Sequence, residues 1–291
     1  FSAWPARRGQ VDFGAPDCLI HGEAMSMNFD YIIIGAGSAG AVLAARLTED
    51  TDVSVLLLEA GGRDRHPFQL MPLAFLTVGR SRTYNWHYET EPEPAMNNRR
   101  IPIGRGRGLG GSSSINALIC VRGHRRDYDR IAEMGLEGWG YADVLPYFRK
   151  LESNWRGETA YHGGSGPIQV TPMDFEDMLY EPMREAAGAI GIPQNDDPNG
   201  AAQEGISRME ATIGRGRRSS TAREYLYPAM GRPNLTVRTG ALTLRVIVEK
   251  GRAVGVEYAC GGRICEDRVN CEVLLSAGAY GSPQVLMLSG I

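Results

Sequence analysis

The sequence has no apolar run that approaches the roughly 20 residues of a membrane-spanning helix. Its five cysteines are odd in number, and no two of them have the Cys-x-x-Cys spacing typical of zinc or redox sites. A zinc site and a disulfide framework are therefore not expected. Reduced, buried thiols are predicted for Cys18, Cys120, Cys260, Cys265 and Cys271.

An excess of charge of one sign is also missing, because 31 basic and 34 acidic residues leave a formal net charge of −3. This balance gives no long-range attraction to a polyanion. Five arginines between Arg105 and Arg126 form a basic stretch, but no aromatic pattern for base stacking accompanies them. We therefore expect no nucleic-acid partner, and a solvated face with ion pairs is the expected role of most of these arginines.

Glycine is abundant, with 37 residues among 291, above the usual share of about 7%. The glycines cluster at residues 104–111, 157–166 and 214–216, which indicates built loops rather than a disordered tail. Hydrophobic residues make up 43% of the chain and charged residues 22%. These values are ordinary for a globular protein with a substantial core.

One segment near the N-terminus predicts a dinucleotide-binding βαβ unit. Residues 29–34 are mostly β-branched or aromatic and favour a buried strand. Gly35, Gly37 and Gly40 follow with the G-x-G-x-x-G spacing. Residues 38–48 have helical spacing, so the helix N-terminus would direct free N–H groups and a positive dipole end at a pyrophosphate.

An acidic residue completes this unit. Residues 53–58 predict the next strand, and Glu59 follows it, 24 residues after Gly35 and near the roughly 20-residue spacing of a ribose-binding acid. A carboxylate there suits free ribose hydroxyls and would repel a 2′-phosphate. The unit predicts a site for a dinucleotide without that phosphate; the alternative is a glycine-rich turn in an ordinary α/β core.

The rest of the chain predicts a mixture of helices and strands. Prolines interrupt residues 63–104, which are expected to wrap around the nucleotide-binding unit, and residues 115–121 are apolar enough to be buried. The helical segments are residues 127–132, 142–152 and 177–190 and a helix from about Ser282. The predicted strands are residues 168–171 and 273–276 and an antiparallel meander through residues 235–238, 242–248 and 253–258.

Two longer motifs bear on the family. The segment 106–116 (GRGLGGSSSIN) resembles the first signature of the glucose–methanol–choline (GMC) oxidoreductases, and residues 278–291 (GAYGSPQVLMLSGI) resemble the second. Residues 161–167, 216–226 and 232–239 also resemble family segments, so the similarity covers about residues 28–291. Within the family, residues 56–62 and 84–100 are most similar to choline-oxidising members.

The resemblance implies FAD as the cofactor. The first glycine loop would hold the pyrophosphate, Glu59 the adenosine ribose, and the segment after the second loop would lie beside the isoalloxazine ring, with Thr243 near the adenine. The implied cofactor-binding residues are Gly35, Gly37, Ser38, Ala39, Gly40, Glu59, Ala60, Arg107, Gly110, Gly111, Ser112, Asn116, Ala117, Leu118, Ile119 and Thr243. Some members attach FAD covalently to a histidine just before the asparagine; Ile115 stands there, so the resemblance implies non-covalent FAD.

The implied fold is α/β: a Rossmann-like FAD-binding βαβ domain with an antiparallel β-meander and part of a substrate-binding domain. Residues 28–291 would form the N-terminal FAD-binding region, with about residues 153–215 contributing to the substrate domain. Residues 1–27 start with Phe and lack the apolar segment of a signal peptide, so we expect a disordered or non-native leader. The second signature stops at Ile291, so we expect a fragment without the C-terminal catalytic half.

The catalytic base of GMC oxidoreductases is a histidine in that C-terminal half, so the resemblance places this residue beyond Ile291. The five histidines of this chain are expected to be solvated or structural: His21, His66, His87, His124 and His162. No catalytic residue and no metal ligand is assigned. The serines at 112–114 do not form a G-x-S-x-G elbow, so hydrolysis is not expected.

The resemblance implies an FAD-dependent oxidation of choline to betaine aldehyde with a non-oxygen electron acceptor, for which a respiratory-chain component qualifies. It also implies a cytoplasmic protein that can associate with the inner face of the cell membrane. The alternatives are a dehydrogenase for other primary alcohols, an FAD-containing lyase and an incomplete flavin-binding fragment. Trp86 and Tyr88 either pack in the core or bind a cationic substrate by cation–π contact.

Overall fold

The structure is a computed structural model that describes residues 27–173 and 178–291. The predicted leader, with Cys18 and His21, lies outside the described residues except for Met27. The first residue of the helix predicted at 177–190 also lies outside them. In the part of the chain that is described, no helix is both long enough and apolar enough to cross a bilayer.

The described residues form thirteen strands and eight α-helices. The strands are β1 (Asn28–Ile34), β2 (Val55–Glu59), β3 (Tyr88–Glu89), β4 (Pro102–Ile103), β5 (Glu152–Asn154), β6 (Ile168–Pro172), β7 (Glu210–Ala211), β8 (Ile213–Gly214), β9 (Arg217–Arg218), β10 (Leu235–Thr239), β11 (Ala241–Glu249), β12 (Arg252–Cys260) and β13 (Arg263–Leu275). The helices are α1 (Ser38–Leu47), α2 (Pro67–Leu70), α3 (Phe75–Gly79), α4 (Arg125–Glu133), α5 (Tyr141–Leu151), α6 (Tyr180–Ala189), α7 (Tyr227–Ala229) and α8 (Gly278–Leu288). Single turns of 3₁₀ helix lie at Pro72–Ala74, Pro94–Met96 and Gly111–Ser114, and a π-helical turn lies at Ala222–Leu226.

The main sheet has six strands in the order β10-β2-β1-β13-β12-β11. Strand β1 pairs in parallel with β2 on one side and with β13 on the other. Helix α1 connects β1 to β2, so the predicted βαβ unit is confirmed. Ile32, Ile33, Leu56 and Leu57 are fully buried. Such continuous burial is typical of parallel strands that are covered on both faces.

The predicted meander is only partly correct. Strands β11, β12 and β13 pair antiparallel, as expected. Residues 235–238 belong to β10, however, which pairs in parallel with β2 at the opposite edge of the sheet. An alternating pattern identifies a strand but carries no information about the direction of its neighbour. The final helix begins at Gly278, earlier than the predicted Ser282.

Strand β13 joins the meander to the nucleotide-binding strands. Its first part pairs antiparallel with β12, and its last part, which includes the predicted strand 273–276 up to Leu275, pairs in parallel with β1. On one face of the sheet, Ala41 of α1 packs in a cluster with Ile33 and Leu226. On the other face, Ile32 lies in a cluster with Tyr258. The sheet is therefore the middle layer that holds the ends of β1 and β2 in place.

The cysteines differ from the expectation. Cys120, Cys265 and Cys271 are free thiols, but Cys271 is exposed and Cys120 is only partly buried. Cys260 is disulfide-bonded, so the prediction of reduced thiols is wrong at this position. Spacing along the chain does not reveal which sulfur atoms the fold brings together, and a cysteine alternating along a strand faces solvent as readily as the core.

A second, smaller sheet of β5, β6 and β7 carries a buried polar network. The ring of His162 is fully buried, with Nδ1 2.8 Å from Glu152 and Nε2 3.0 Å from Asp197. The guanidinium of Arg122 also donates to Glu152 at 2.7 Å. Burial by itself lowers the pKa of His162, but the hydrogen bonds to Glu152 and Asp197 outweigh it and raise this pKa above 6.5. His162 therefore ties together three segments of the smaller sheet and its loops.

We expect replacement of His162 by Gln to cost stability mainly at low pH. The charged ring stabilises the fold fully below pH 6.5, the ordinary pKa, and this contribution is lost as the pH rises through the raised folded value. Urea unfolding between about pH 5.5 and about pH 9 should give a free-energy difference from the unsubstituted chain that shrinks with rising pH. A pH-independent difference would contradict this. Asp197→Asn, which removes one carboxylate, should lower the pH at which the stabilisation by the charged His162 ring is lost.

Candidate functional site

The two glycine loops meet at the end of β1. The N–H of Gly110 donates to the carbonyl of Ala36 at 2.7 Å. A side chain on Gly111 would place its Cβ 2.8 Å from the Cα of Gly37, where no atom fits. Gly35 has a φ of +94°, which favours glycine, and lets the chain turn from β1 into α1. The first loop, residues 35–40, and the second, residues 106–111, therefore pack backbone against backbone, although the contacting residues are 74 positions apart in sequence (110 − 36 and 111 − 37).

The carboxylate of Glu59, at the end of β2, connects these loops. Its Oε2 accepts a hydrogen bond from the N–H of Ala36 at 2.9 Å, and its Oε1 accepts from Gly61 at 2.8 Å and from Gly108 at 3.0 Å. Burial raises the pKa of Glu59, while these N–H groups and the nearby guanidinium of Arg107 oppose the rise. Since each oxygen can accept two hydrogen bonds, one acceptor direction remains at Oε2.

The N-terminus of α1 is open to an anion. No side chain caps it, its first turn has no acidic residue, and Ser38 and Ala39 are exposed. The N-termini of α4 and α5, in contrast, have Asp127 and Asp143 in capping boxes. The free N–H groups and the positive dipole end of α1 therefore point outward beside the glycine loops, an arrangement that binds phosphate groups.

The segment after the second loop forms an exposed strip, residues 116–119. Asn116, Ala117 and Ile119 are exposed, and the side chain of Ile119 has a relative exposure of 48%. The prediction that residues 115–121 are buried is therefore wrong for most of them. The cause is local: Leu118 has a φ of +65°, which turns its side chain inward and leaves its neighbours outside. Exposed apolar atoms at the edge of a polar loop suit a planar ring laid against them.

Trp86 and Tyr88 lie close to the site, in an aromatic cluster with Tyr280. Two arginine side chains already cover this cluster. The two rings stack at 6.0 Å with an angle of 4° between them. The guanidinium of Arg107 lies 5.1 Å from the centre of the Trp86 ring, and Arg105 lies 4.8 Å from that of Tyr280, which contacts Tyr88. This packing favours a structural role for Trp86 and Tyr88 over a pocket for a cationic substrate.

Arg218 is a site residue that the sequence analysis missed. It is 1% exposed, and its guanidinium donates to Gln69 O at 3.0 Å, to Ser113 O at 3.2 Å and to Asn116 Oδ1 at 2.7 Å. Burial lowers its pKa to about 10. Its segment, 216–226, resembled the family, but no pattern distinguished Arg218 from its exposed neighbour Arg217.

The other predicted residues lie around these loops. The N–H of Gly240 donates to Gly61 O at 2.9 Å, which places the start of β11, the strand that carries Thr243, beside the loop after Glu59. Ala60 is partly buried next to Glu59, and Ser112 accepts from Gly106 N–H at 3.0 Å. The rings of His66 and His124 cap short helical segments, and His87 is exposed.

Comparison with known proteins identifies the family that this chain matches. A family model described as GMC oxidoreductase matches residues 29–291. Oxygen-dependent choline dehydrogenases of Klebsiella pneumoniae and Escherichia coli are each 54% identical to this chain over 272 residues. These matches cover 91% of this chain and 49% of the relatives, so the chain spans about half the length of the curated relatives it matches.

Solved structures show the same architecture. A pyridoxine 4-oxidase from Mesorbium loti superimposes with a TM-score of 0.86 at 35% identity, covering 91% of this chain and 52% of that one. An FAD-dependent oxidoreductase from Chaetomium thermophilum gives a TM-score of 0.83 at 30% identity, covering 91% and 48%. The predicted α/β fold is thus confirmed.

We expect Glu59→Gln to destabilise the chain by about 2 to 4 kcal/mol, since an amide has one acceptor oxygen and in either orientation leaves at least one buried N–H without a partner. Urea unfolding measures the change. Glu49→Gln is the control: Glu49 pairs with Arg46 on the surface, and its loss should change stability by at most about 1 kcal/mol. A Glu59→Gln effect no larger than that of the control would refute the connecting role.

Proposed function

The chain belongs to the GMC oxidoreductase family, and on this premise we propose that it forms the FAD-binding part of an enzyme that oxidises choline to betaine aldehyde. The observation that carries the proposal is the identity of 54% over 272 residues to oxygen-dependent choline dehydrogenases. The geometry supports it, because an uncapped helix N-terminus and two interlocked glycine loops suit a dinucleotide.

In this proposal, the loops and α1 hold the diphosphate. Gly37 leaves room for it, while Gly35 makes the turn and Gly40 lets α1 pack closely on β1. The N–H groups at Ser38 and Ala39 face its charge. The acceptor direction left at Glu59 Oε2 suits a ribose hydroxyl. Gly110, Gly111 and Ser112 would continue the path toward the ring, and the remaining predicted residues, Ala60, Arg107 and Thr243, would border the adenosine half.

The flavin ring would lie against the exposed strip, residues 116–119. When bound, FAD supplies the chemistry that accepts a hydride from the carbon bearing the hydroxyl group. The chain would position the ring and shield one of its faces from water. Ile115, which precedes Asn116, is buried and has no nucleophilic atom, which supports non-covalent binding.

No group that would take the hydroxyl proton is assigned among the described residues. His66 and His124 cap helices, His162 is enclosed by carboxylates, and His87 is exposed. We propose that the base is a histidine in sequence beyond Ile291, in a half of the protein that covers the exposed strip. General-base catalysis requires such a group within hydrogen-bond reach of the alcohol.

Other primary alcohols are the second candidate substrate class. The structural similarity to a protein named pyridoxine 4-oxidase favours this alternative. The arginines over the aromatic cluster of Trp86 and Tyr88 also remove one cation–π site that choline could have used. A family lyase that retains FAD, and a flavin-binding fragment without catalysis, remain the alternatives outside this class.

The electron acceptor is a separate part of the proposal. The sequence resemblance implied a non-oxygen acceptor, with a respiratory-chain component reached by peripheral association with the membrane. The relatives, in contrast, carry the name oxygen-dependent choline dehydrogenase, which favours oxygen. Rapid mixing of the reduced protein with oxygen or with a soluble quinone distinguishes the two, and co-sedimentation with anionic lipid vesicles tests membrane association.

We expect choline to bleach the visible flavin absorption of the complete protein that carries this chain when it is added without oxygen, because hydride transfer reduces the flavin. The control is 1-butanol, which has a hydroxyl group but no positive charge and should bleach far more slowly. Bleaching by 1-butanol but not by choline would refute choline as substrate. A flavin that no alcohol bleaches would refute the oxidoreductase assignment.

A further inference from the structure

Arg218 is a buried cation without a matching anion. The side chain is 1% exposed, and no carboxylate pairs with it within residues 27–173 and 178–291. Its Nη2 atom is buried and has no hydrogen-bond partner among these residues. A guanidinium taken out of water without a counter-charge costs stability. Buried groups of this kind cluster at functional sites, where they act on a ligand.

The guanidinium sets the orientation of the Asn116 amide. Oδ1 of Asn116 accepts from Arg218 Nη1 at 2.7 Å and from the N–H of Leu118 at 3.1 Å. Both neighbours are donors, so the amide oxygen has to face them and the Nδ2 group has to face away. Since Asn116 is exposed, Nδ2 is available as a donor on the outer side of the strip.

Hydrogen bonds and close packing hold Arg218 in one position. The guanidinium also donates to Ser113 O, and the Ser113 hydroxyl lies 3.1 Å from that of Thr221. A Cβ on Gly110 would come within 3.1 Å of the Ala222 side chain, so the segment after Arg218 packs directly on the second glycine loop. The charge is therefore held at one place behind residues 116–119, in an interior where electrostatic interactions are strong.

We propose that Arg218 is a positioning residue of the flavin site that raises the reduction potential of the bound flavin; this inference rests on the proposed function. It acts in two ways. It holds Asn116 with its donor toward the ring, and it places a permanent positive charge behind the strip. Both favour the electron-rich reduced ring over the oxidised ring, because donors and positive charge stabilise added electron density.

The test is the midpoint potential of the flavin in the complete holoenzyme, with sulfite affinity as a second measure of how readily the ring accepts electrons. Arg218→Met removes the charge at similar volume; we expect a more negative potential and a sulfite dissociation constant about tenfold higher. Arg218→Lys keeps the charge and should stay near the unsubstituted potential. Arg217→Met is the matched control: it removes the adjacent, exposed arginine and should change neither value.

An Arg218→Met holoenzyme with unchanged potential and sulfite affinity would overturn the proposal. If Arg218→Met does not fold, Arg218→Gln, which also removes the charge, decides: a more negative potential supports the proposal, and a potential no different from that of Arg217→Met overturns it. Flavin content and flavin bleaching of the unsubstituted protein distinguish this outcome from failure of the proposed function. Absence of bound flavin there, or a flavin that no alcohol bleaches, would refute the proposed function itself.

Discussion

The carboxylate of Glu59 is the interaction on which the rest of the site depends. It lies at the end of β2, and its two oxygens accept from N–H groups of the first glycine loop, the turn after β2 and the second glycine loop. Hydrogen bonds to a charged acceptor are stronger than neutral ones, and burial strengthens them further. One side chain thus joins the two glycine loops and the turn after β2.

The close contact between the loops makes the site a surface of backbone atoms. The Cα atoms of Gly37 and Gly111 face each other, so neither loop can move outward without breaking the bonds to Glu59. Backbone N–H groups held in this way need no reorganisation when an anion arrives, which favours binding. The uncapped end of α1 belongs to the same arrangement, because a capping side chain would occupy the space proposed for the phosphate.

Behind the strip at residues 116–119, Arg218 is a second buried charged group, and its guanidinium holds the amide of Asn116. The two charges differ in their surroundings: Glu59 is satisfied by N–H groups, whereas Arg218 retains a donor without a partner among the described residues. At the adenosine end of the proposed site, Oε2 of Glu59 keeps one acceptor direction that a ribose hydroxyl would fill.

Local patterns in the sequence were enough to predict β1, α1, β2, the two glycine loops and the family, because each depends on residues close together in the chain. They failed where the outcome depended on a distant partner or on a backbone turn that no residue type signals. Residues 235–238 form a strand as predicted, but only the fold determines that β10 runs parallel to β2. Residues 115–121 are mostly apolar, yet the backbone turn at Leu118 leaves Ile119 exposed.

The sequence by itself determined which residues can form a dinucleotide site. The tertiary structure decided that Glu59 joins the loops and that Arg218 lies buried behind Asn116, because both contacts join residues dozens of positions apart and have no local signature.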